Sequence, residues 1–327
     1  MHLSDVKRRP RLFSSWEKYR HTKIHWFVEC FAEFLGVFLY TWCGVGSTAN
    51  FVVGNLTDTP GLSSIFQIGI AYACGIVFAL VICCATSGGH FHPAVTLVKV
   101  LFDGFPAYKG VAYVAAQIFG GYVACLLVYA QYRNILVPLE AALEAAGELA
   151  AIQFTPSGPA GIFGLYAPAG AHLGWVFLNE FVCDVVLGLG IFACIDPTNV
   201  FVPPPLAPIL VGAVYAVCIW GYATPGLAAN AARDVGGRLA AMTIWGMDAS
   251  GGAYAAIAAL TNIPAMLLAY VMYELLLMDT DRVIPAAQLD YLRVHQNHAR
   301  TGTSLPPPSG SPVESTDKMN VTHIERA

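Results

Sequence analysis

Two stretches decide how this chain folds: Ser87-Gly88-Gly89-His90-Phe91-His92-Pro93-Ala94-Val95-Thr96, and Gly226-Leu227-Ala228-Ala229-Asn230-Ala231-Ala232-Arg233-Asp234-Val235-Gly236-Gly237-Arg238-Leu239. Each passes from glycine through a capping residue into an apolar run, near 93–102 and 231–243. At about ten residues, such a run is too short to cross a bilayer core, which takes about 20. Pro93 suits the first position of a helix, and Asn230 is a strong N-cap. The pattern predicts two loops that enter a membrane and continue as half-helices. Non-helical backbone at that depth is tolerated only where it lines a cavity or is buried in protein. A pair of amphipathic surface helices is the plainer alternative. The same arrangement at the same place in both halves of the chain argues against it.

The rest of the sequence agrees with a membrane setting. Of 327 residues, 56% are apolar and only 12% are charged, with net charge −4 and mean hydropathy +0.58. A soluble domain carries roughly 25% charged residues, so the polar surface here is too small to cover a water-soluble globule. The 17 basic residues are too few, and the apolar ones too many, for a disordered, collagen-like or nucleic-acid-binding chain. Six stretches are long enough to span: roughly 26–47, 65–86, 109–132, 173–195, 205–223 and 252–278. The nine cysteines all fall in apolar runs and read as small buried hydrophobes rather than a disulfide framework.

The chain repeats itself. Ala32-Glu33-Phe34-Leu35 in the first span has a counterpart in Asn179-Glu180-Phe181-Val182 in the fourth. A glutamate inside a span is expensive and marks a functional or paired position. His92 follows Glu33 by 59 residues, and Asn230 follows Glu180 by 50. Each half therefore holds three spans and one short segment, and because three is odd the second half is inverted. Inverted repeats place their site at the midplane, where broken helices meet.

All Lys and Arg residues except Arg133, Arg233 and Arg238 fall on one side of a six-span layout, which puts both termini in the cytosol. The first apolar run is long enough to remain as a span rather than a cleaved signal. The expected organisation is a basic cytosolic segment at 1–25, a membrane domain at 26–280 and a largely disordered cytosolic tail at 281–327. Within the middle domain, repeat one runs to about 132, an outer loop covers 133–172 and repeat two starts at about 173. Residues 136–152 read as a short surface helix, and 155–171, rich in Pro and Gly, as a loop. Asn55-Leu56-Thr57 is a glycosylation acceptor on the outer side, whereas Asn320-Val321-Thr322 lies in the cytosolic tail.

With Ala116-Gln117 of the third span, the two opening stretches resemble the aquaporin and aquaglyceroporin channels of the major intrinsic protein family, and most resemble its fungal members. The resemblance covers about residues 26–280. It implies an all-α integral membrane fold of six transmembrane helices plus two re-entrant half-helices, and a homotetramer with one pore per protomer. It implies a passive channel and no enzyme, with no cofactor and no bound metal. The plasma membrane is the expected location, since no retention signal is visible. Two departures stand out. The pore motifs read His92-Pro93-Ala94 and Asn230-Ala231-Ala232, with His92 and Ala231 replacing the family's Asn and Pro. His92 is expected to cap its half-helix with one ring nitrogen and donate into the pore with the other.

The resemblance assigns a selectivity filter to Tyr72, Leu227 and Arg233, with Cys218 in the remaining position, or Val217 if one gap is needed. A small residue there implies a wider, more apolar opening. Glu33, Glu180 and His90 become scaffold residues. Asp234 is typical of the glycerol-conducting branch. An apolar wall facing a few donors suits a small neutral polyol, with some water. The rivals are a channel for a small anion or weak acid, favoured by the positive centre, and a closed pore blocked by Tyr72 or His92. Asp184, one turn beyond Glu180, lies outside the pattern and is expected to compensate for His92.

Overall fold

The computed structural model describes residues 8–279 and 286–301, in two units that part after Met278. No strand occurs among the described residues. The first unit runs α1 Arg11–Lys23, α2 His25–Leu56, α3 Ile65–Ser87, α4 Pro93–Phe102, α5 Ala107–Ala145, α6 Leu173–Ile195, α7 Ala207–Tyr222, α8 Ala231–Trp245, α9 Gly252–Leu260 and α10 Asn262–Leu276. The second unit contributes α11, Ala286–Thr301.

The local signals act where the sequence places them. Ser64 caps α3 by accepting from the Gln67 N–H at 3.2 Å, and Gly88, at φ 89°, ends α3 in the left-handed conformation that glycine adopts without strain. The two short segments are helices beginning directly after His92 and Asn230. Packing follows the inverted repeat. The first span, α2, contacts α3 and α5; its counterpart α6 contacts α7 and α10. Each half-helix then crosses to the other half, α4 against α10 and α8 against α5, while α3 and α7 close the remaining side.

Five helical stretches are long and apolar enough to cross a membrane, counting α9 and α10 as one, since the intervening Thr261 is itself helical in conformation. The fifth expected span, α7, has only 16 residues, or about 24 Å at the α-helical rise. Pro203, Pro204 and Pro205 break the run before it can start earlier.

Several sequence expectations are corrected. Residues 136–145 form no separate surface helix but continue α5, with only Leu149–Ile152 as a detached turn. Leu136 and Leu143 are buried, and Leu136 shares an apolar cluster with Ile162 and Phe163, so the helix is held by the loop that follows it. That loop is well packed: Pro159–Ile162 is a buried 3₁₀ turn. The start of the tail is helical over α11, and Asn320 with the rest of the segment expected to be disordered lies outside the described residues. Of the cysteines, only Cys83, Cys125, Cys183 and Cys218 are buried, while Cys74 is exposed on α3 and Cys84 borders a cavity of the bundle. Apolar helices in a bilayer have lipid to face, so a small hydrophobe need not be interior. Asn55 is exposed in the last turn of α2.

A close backbone crossing joins α5 to α8. A Cβ on Gly121 would lie 2.7 Å from the Ala232 carbonyl oxygen, and one on Gly236 would lie 2.6 Å from both the Ile118 oxygen and the Tyr122 nitrogen. These neighbours are backbone and cannot rotate away. Gly236→Ala is expected to push α8 off α5 and destabilise the protein by about 1–3 kcal/mol. Thermal unfolding of the purified protein in detergent checks this, and an unchanged midpoint would contradict the crossing.

Candidate functional site

The site is built by two buried glutamates that gather loop backbone. Glu33 accepts four hydrogen bonds: Ser87 Oγ (2.6 Å) and His90 N (3.0 Å) on Oε1, and Phe91 N (2.8 Å) and Gln117 Nε2 (2.7 Å) on Oε2. Glu180 accepts Ala228 N and Ala229 N, each at 2.7 Å. In a trans peptide the carbonyl points opposite to the N–H it shares a plane with. The carbonyls of Gly89, His90, Leu227 and Ala228 are therefore turned away from the glutamates. These residues border the two cavities of the bundle. The scaffold role expected of Glu33 and Glu180 matches this geometry. His90 also fits it, with Nδ1 3.2 Å from Thr96 Oγ1 and its ring edge-on to Phe105 and Tyr113.

At the centre the two loops brace each other. Asn230 Oδ1 caps α8, accepting from Ala232 N (2.9 Å) and Arg233 N (3.3 Å), and its Nδ2 donates to the Phe91 carbonyl across the repeat at 2.9 Å. His92 Nδ1 accepts from Ala94 N at 3.1 Å, which puts the ring proton on Nε2, and Nε2 donates to the Ala229 carbonyl at 3.0 Å. Both accepting residues, Phe91 (φ 49°) and Ala229 (φ 56°), hold the left-handed conformation. The pair is thus symmetric in bonding although not in residue type.

This corrects the expected role of His92. It borders the inner cavity, but its single N–H is spent on Ala229, so it presents no donor to a passing solute. Asn230 has two amide hydrogens, of which the brace uses one. Asp184 makes no hydrogen bond to His92, both of whose ring nitrogens are taken by backbone. Asp184 is buried, and neither of its oxygens has a hydrogen-bond partner.

Arg233 is buried and fixed in three directions. Nε donates to Tyr72 OH (2.9 Å), Nη1 to the Phe163 carbonyl (2.6 Å) and Nη2 to the Ile162 carbonyl (3.3 Å). Two of its five N–H groups remain, and it borders the outer cavity. Asp234 points the other way and pairs with Arg238 at 2.6 Å. Arg238 in turn donates to the carbonyls of Leu165 (2.9 Å) and Ser250 (3.1 Å), tying the outer loop to the end of α8. In that loop Tyr166 OH donates to the Ala249 carbonyl at 2.9 Å, and burial pushes its phenol up to about 12, so it stays a neutral donor.

Two cavities, about 570 Å³ and 340 Å³, lie on either side of the brace. Tyr72, Leu227 and Arg233 line the larger one as expected. Cys218 does not: it is buried with its Sγ 3.7 Å from the Cys183 carbonyl, and Val217 is exposed on the outside of α7. The α7 residues on the cavity are Tyr215 and Ile219. The resemblance places this position at a fixed offset back from Asn230, and it misses them because the non-helical run from Ala223 to Asn230 does not keep helical register. The expected wide, small-residue opening is therefore replaced by an aromatic one. Tyr215 borders both cavities, and its ring lies 5.6 Å from that of Tyr72 and 6.4 Å from that of Tyr40.

The arrangement defines an inverted-repeat membrane channel with two opposed half-helices at its centre. The family model "Major intrinsic protein" matches residues 20–249. The chain is 53% identical over 302 residues to "Aquaporin-3" of Laccaria bicolor, covering 92% of each chain. It is 33% identical over 222 residues to the "Glycerol uptake facilitator protein" of Haemophilus influenzae, covering 67% of this chain and 80% of that one. In fold it is similar to the aquaglyceroporin from Plasmodium falciparum, with TM-score 0.65 and 21% identity over 77% of this chain and 96% of that one. The chain belongs to the major intrinsic protein family, an integral membrane family of passive channels rather than enzymes.

The brace makes a direct prediction. His92→Ala removes both the cap and the link to Ala229 and is expected to cost about 1–2 kcal/mol, the range for a lost N-cap. His92→Asn restores a cap and a cross-loop donor and is expected to recover most of that loss. Unfolding midpoints of the two variants and the parent decide it; equal losses in both would contradict the brace.

Proposed function

We propose that this protein is a passive channel for glycerol and similar small neutral polyols, with some water, and that it excludes protons and cations. The observation that carries the reading is the two-sided wall of the outer cavity. Tyr72, Tyr215, Ile219 and Leu227 offer an apolar face, and the two remaining Arg233 N–H groups offer donors. A polyol can lay its carbon chain on the first and its hydroxyls on the second. Relatives named as glycerol and propanediol uptake facilitators support the same substrate class. Two half-helix N-termini, each worth about half a positive charge, with Arg233 nearby, oppose cations.

In this reading the filter is Tyr72, Tyr215 with Ile219, Leu227 and Arg233. His92, Pro93, Ala94, Asn230, Ala231 and Ala232 form the central motif, and Glu33, Glu180, His90 and Asp234 hold it in place. We read the assembly as a homotetramer in the plasma membrane with both termini cytosolic, on the strength of the family and the charge asymmetry.

Purified protein in liposomes tests the proposal. In a glycerol gradient, shrinkage followed by re-swelling well above that of empty liposomes is expected, without ionic current. Water flux with no re-swelling would make it a water-only pore, and current would favour an anion channel. Tyr215→Ala is expected to raise the flux of five- and six-carbon polyols several-fold relative to glycerol, while Cys218→Ala leaves that ratio unchanged. The reverse result would return the filter position to Cys218.

A further inference from the structure

The helix before the first span is built inside out for water. In α1, Leu12, Trp16 and Tyr19 recur at i, i+4 and i+7 and so share one face, with Phe13 beside them. These four side chains are between 49% and 75% exposed. The half-buried positions of the helix are instead polar, Ser14, Glu17 and Arg20, with Glu17 taking an ion pair from Arg9. At about 100° per residue, Arg20 flanks the apolar stripe on one side and Arg11 and Lys18 on the other, while Arg9 precedes the helix. From residue 8 to residue 20 there are five basic residues and one acidic one.

The place of the helix fixes what it meets. Only Ile24 separates α1 from α2, and α2 opens with Trp26 and Phe27, 54% and 60% exposed on the outside of a membrane span. The end of α1 is therefore held at the level where the bilayer begins. Aromatic rings with an apolar body and a polar edge settle at that level, and long basic side chains bury their stems while keeping their charge in the headgroup layer. A nucleic acid or an acidic protein segment would meet the charges but would leave four large apolar side chains in water.

We infer that α1 lies in the membrane interface and binds anionic phospholipid headgroups, with Leu12, Phe13, Trp16 and Tyr19 in the acyl boundary and Arg11, Lys18 and Arg20 on the lipid charges. Each basic side chain near an anionic surface adds attraction that salt screens. The inference is independent of what the pore carries.

The full-length protein is placed in nanodiscs of phosphatidylcholine alone and of phosphatidylcholine with phosphatidylserine. Hydrogen exchange over residues 11–23 is expected to slow several-fold in the anionic discs, and the difference to shrink in high salt. The combined exchange of Arg11, Lys18 and Arg20 for Gln should abolish the difference while leaving solute flux in liposomes intact. Separately, lipids brominated near the headgroup should quench the fluorescence that is lost on Trp16→Phe. Equal exchange in both discs would overturn the anionic-lipid assignment. Protection that vanishes on dilution to single subunits would assign the face to a neighbouring copy, and a Trp16 signal untouched by brominated lipid would place the stripe outside the bilayer.

Discussion

Everything in the channel hangs on the reciprocal bond at the midplane, Asn230 to Phe91 and His92 to Ala229. Each cap holds its own half-helix by one edge and the opposite loop by the other. Neither loop can move without releasing a buried carbonyl. Phe91 and Ala229 sit in left-handed backbone, a conformation that costs a non-glycine residue of order 1–3 kcal/mol and persists only when the surroundings over-determine it. The surroundings here are Glu33 and Glu180, which take the N–H groups of the same residues, while the opposite caps take their carbonyls. The positions of both half-helices, and so of both cavities, follow from these bonds.

The brace also explains how two altered motifs coexist. His92 caps a single N–H, that of Ala94, but Pro93 behind it supplies the fixed φ of a first helical residue. At the second motif Ala231 lacks that constraint, and there Asn230 caps two N–H groups, those of Ala232 and Arg233. One half-helix is started by a ring and a proline, the other by a side chain with twice the reach. A further consequence is a loss of symmetry in the pore. Asn230 retains a spare donor after bracing and neutral His92 does not, so the two ends of the central passage are chemically unequal.

Much of this was legible in the sequence because it rests on side-chain type and spacing. A glutamate in a span, a cap before a short apolar run and a proline at its first position each have one physical use at that depth, and the half-helices begin where those signals place them. What escaped was carried by backbone or by register. Phe163 and Ile162 hold Arg233 through carbonyls, which any residue has, so nothing in a Pro- and Gly-rich loop marks them. Tyr215 was missed because a count from Asn230 crosses irregular backbone, where helical periodicity no longer says which face a residue occupies. The donor role expected of His92 failed on hydrogen counting, since the single proton of a neutral ring could be spent only once and the partner that took it, Ala229, comes from the other half of the chain.

Charge arithmetic favours a neutral solute over either ion in such a passage. A cation would meet two helix N-termini and the fixed guanidinium of Arg233, all positive, in surroundings of low dielectric where Coulomb repulsion is strong. An anion would be drawn to the same groups. On the way, however, it would have to slide along the carbonyl edges of Gly89, His90, Leu227 and Ala228, whose oxygens are turned from the glutamates that hold the paired N–H groups. A hydroxyl group is both donor and acceptor and can answer each of these in turn, giving a proton to the carbonyls and taking one from Arg233 or Asn230. In the proposed function, the same wall that would penalise a charge of either sign would replace the water of a polyol bond for bond, while Tyr72 and Tyr215 would cover its carbon side.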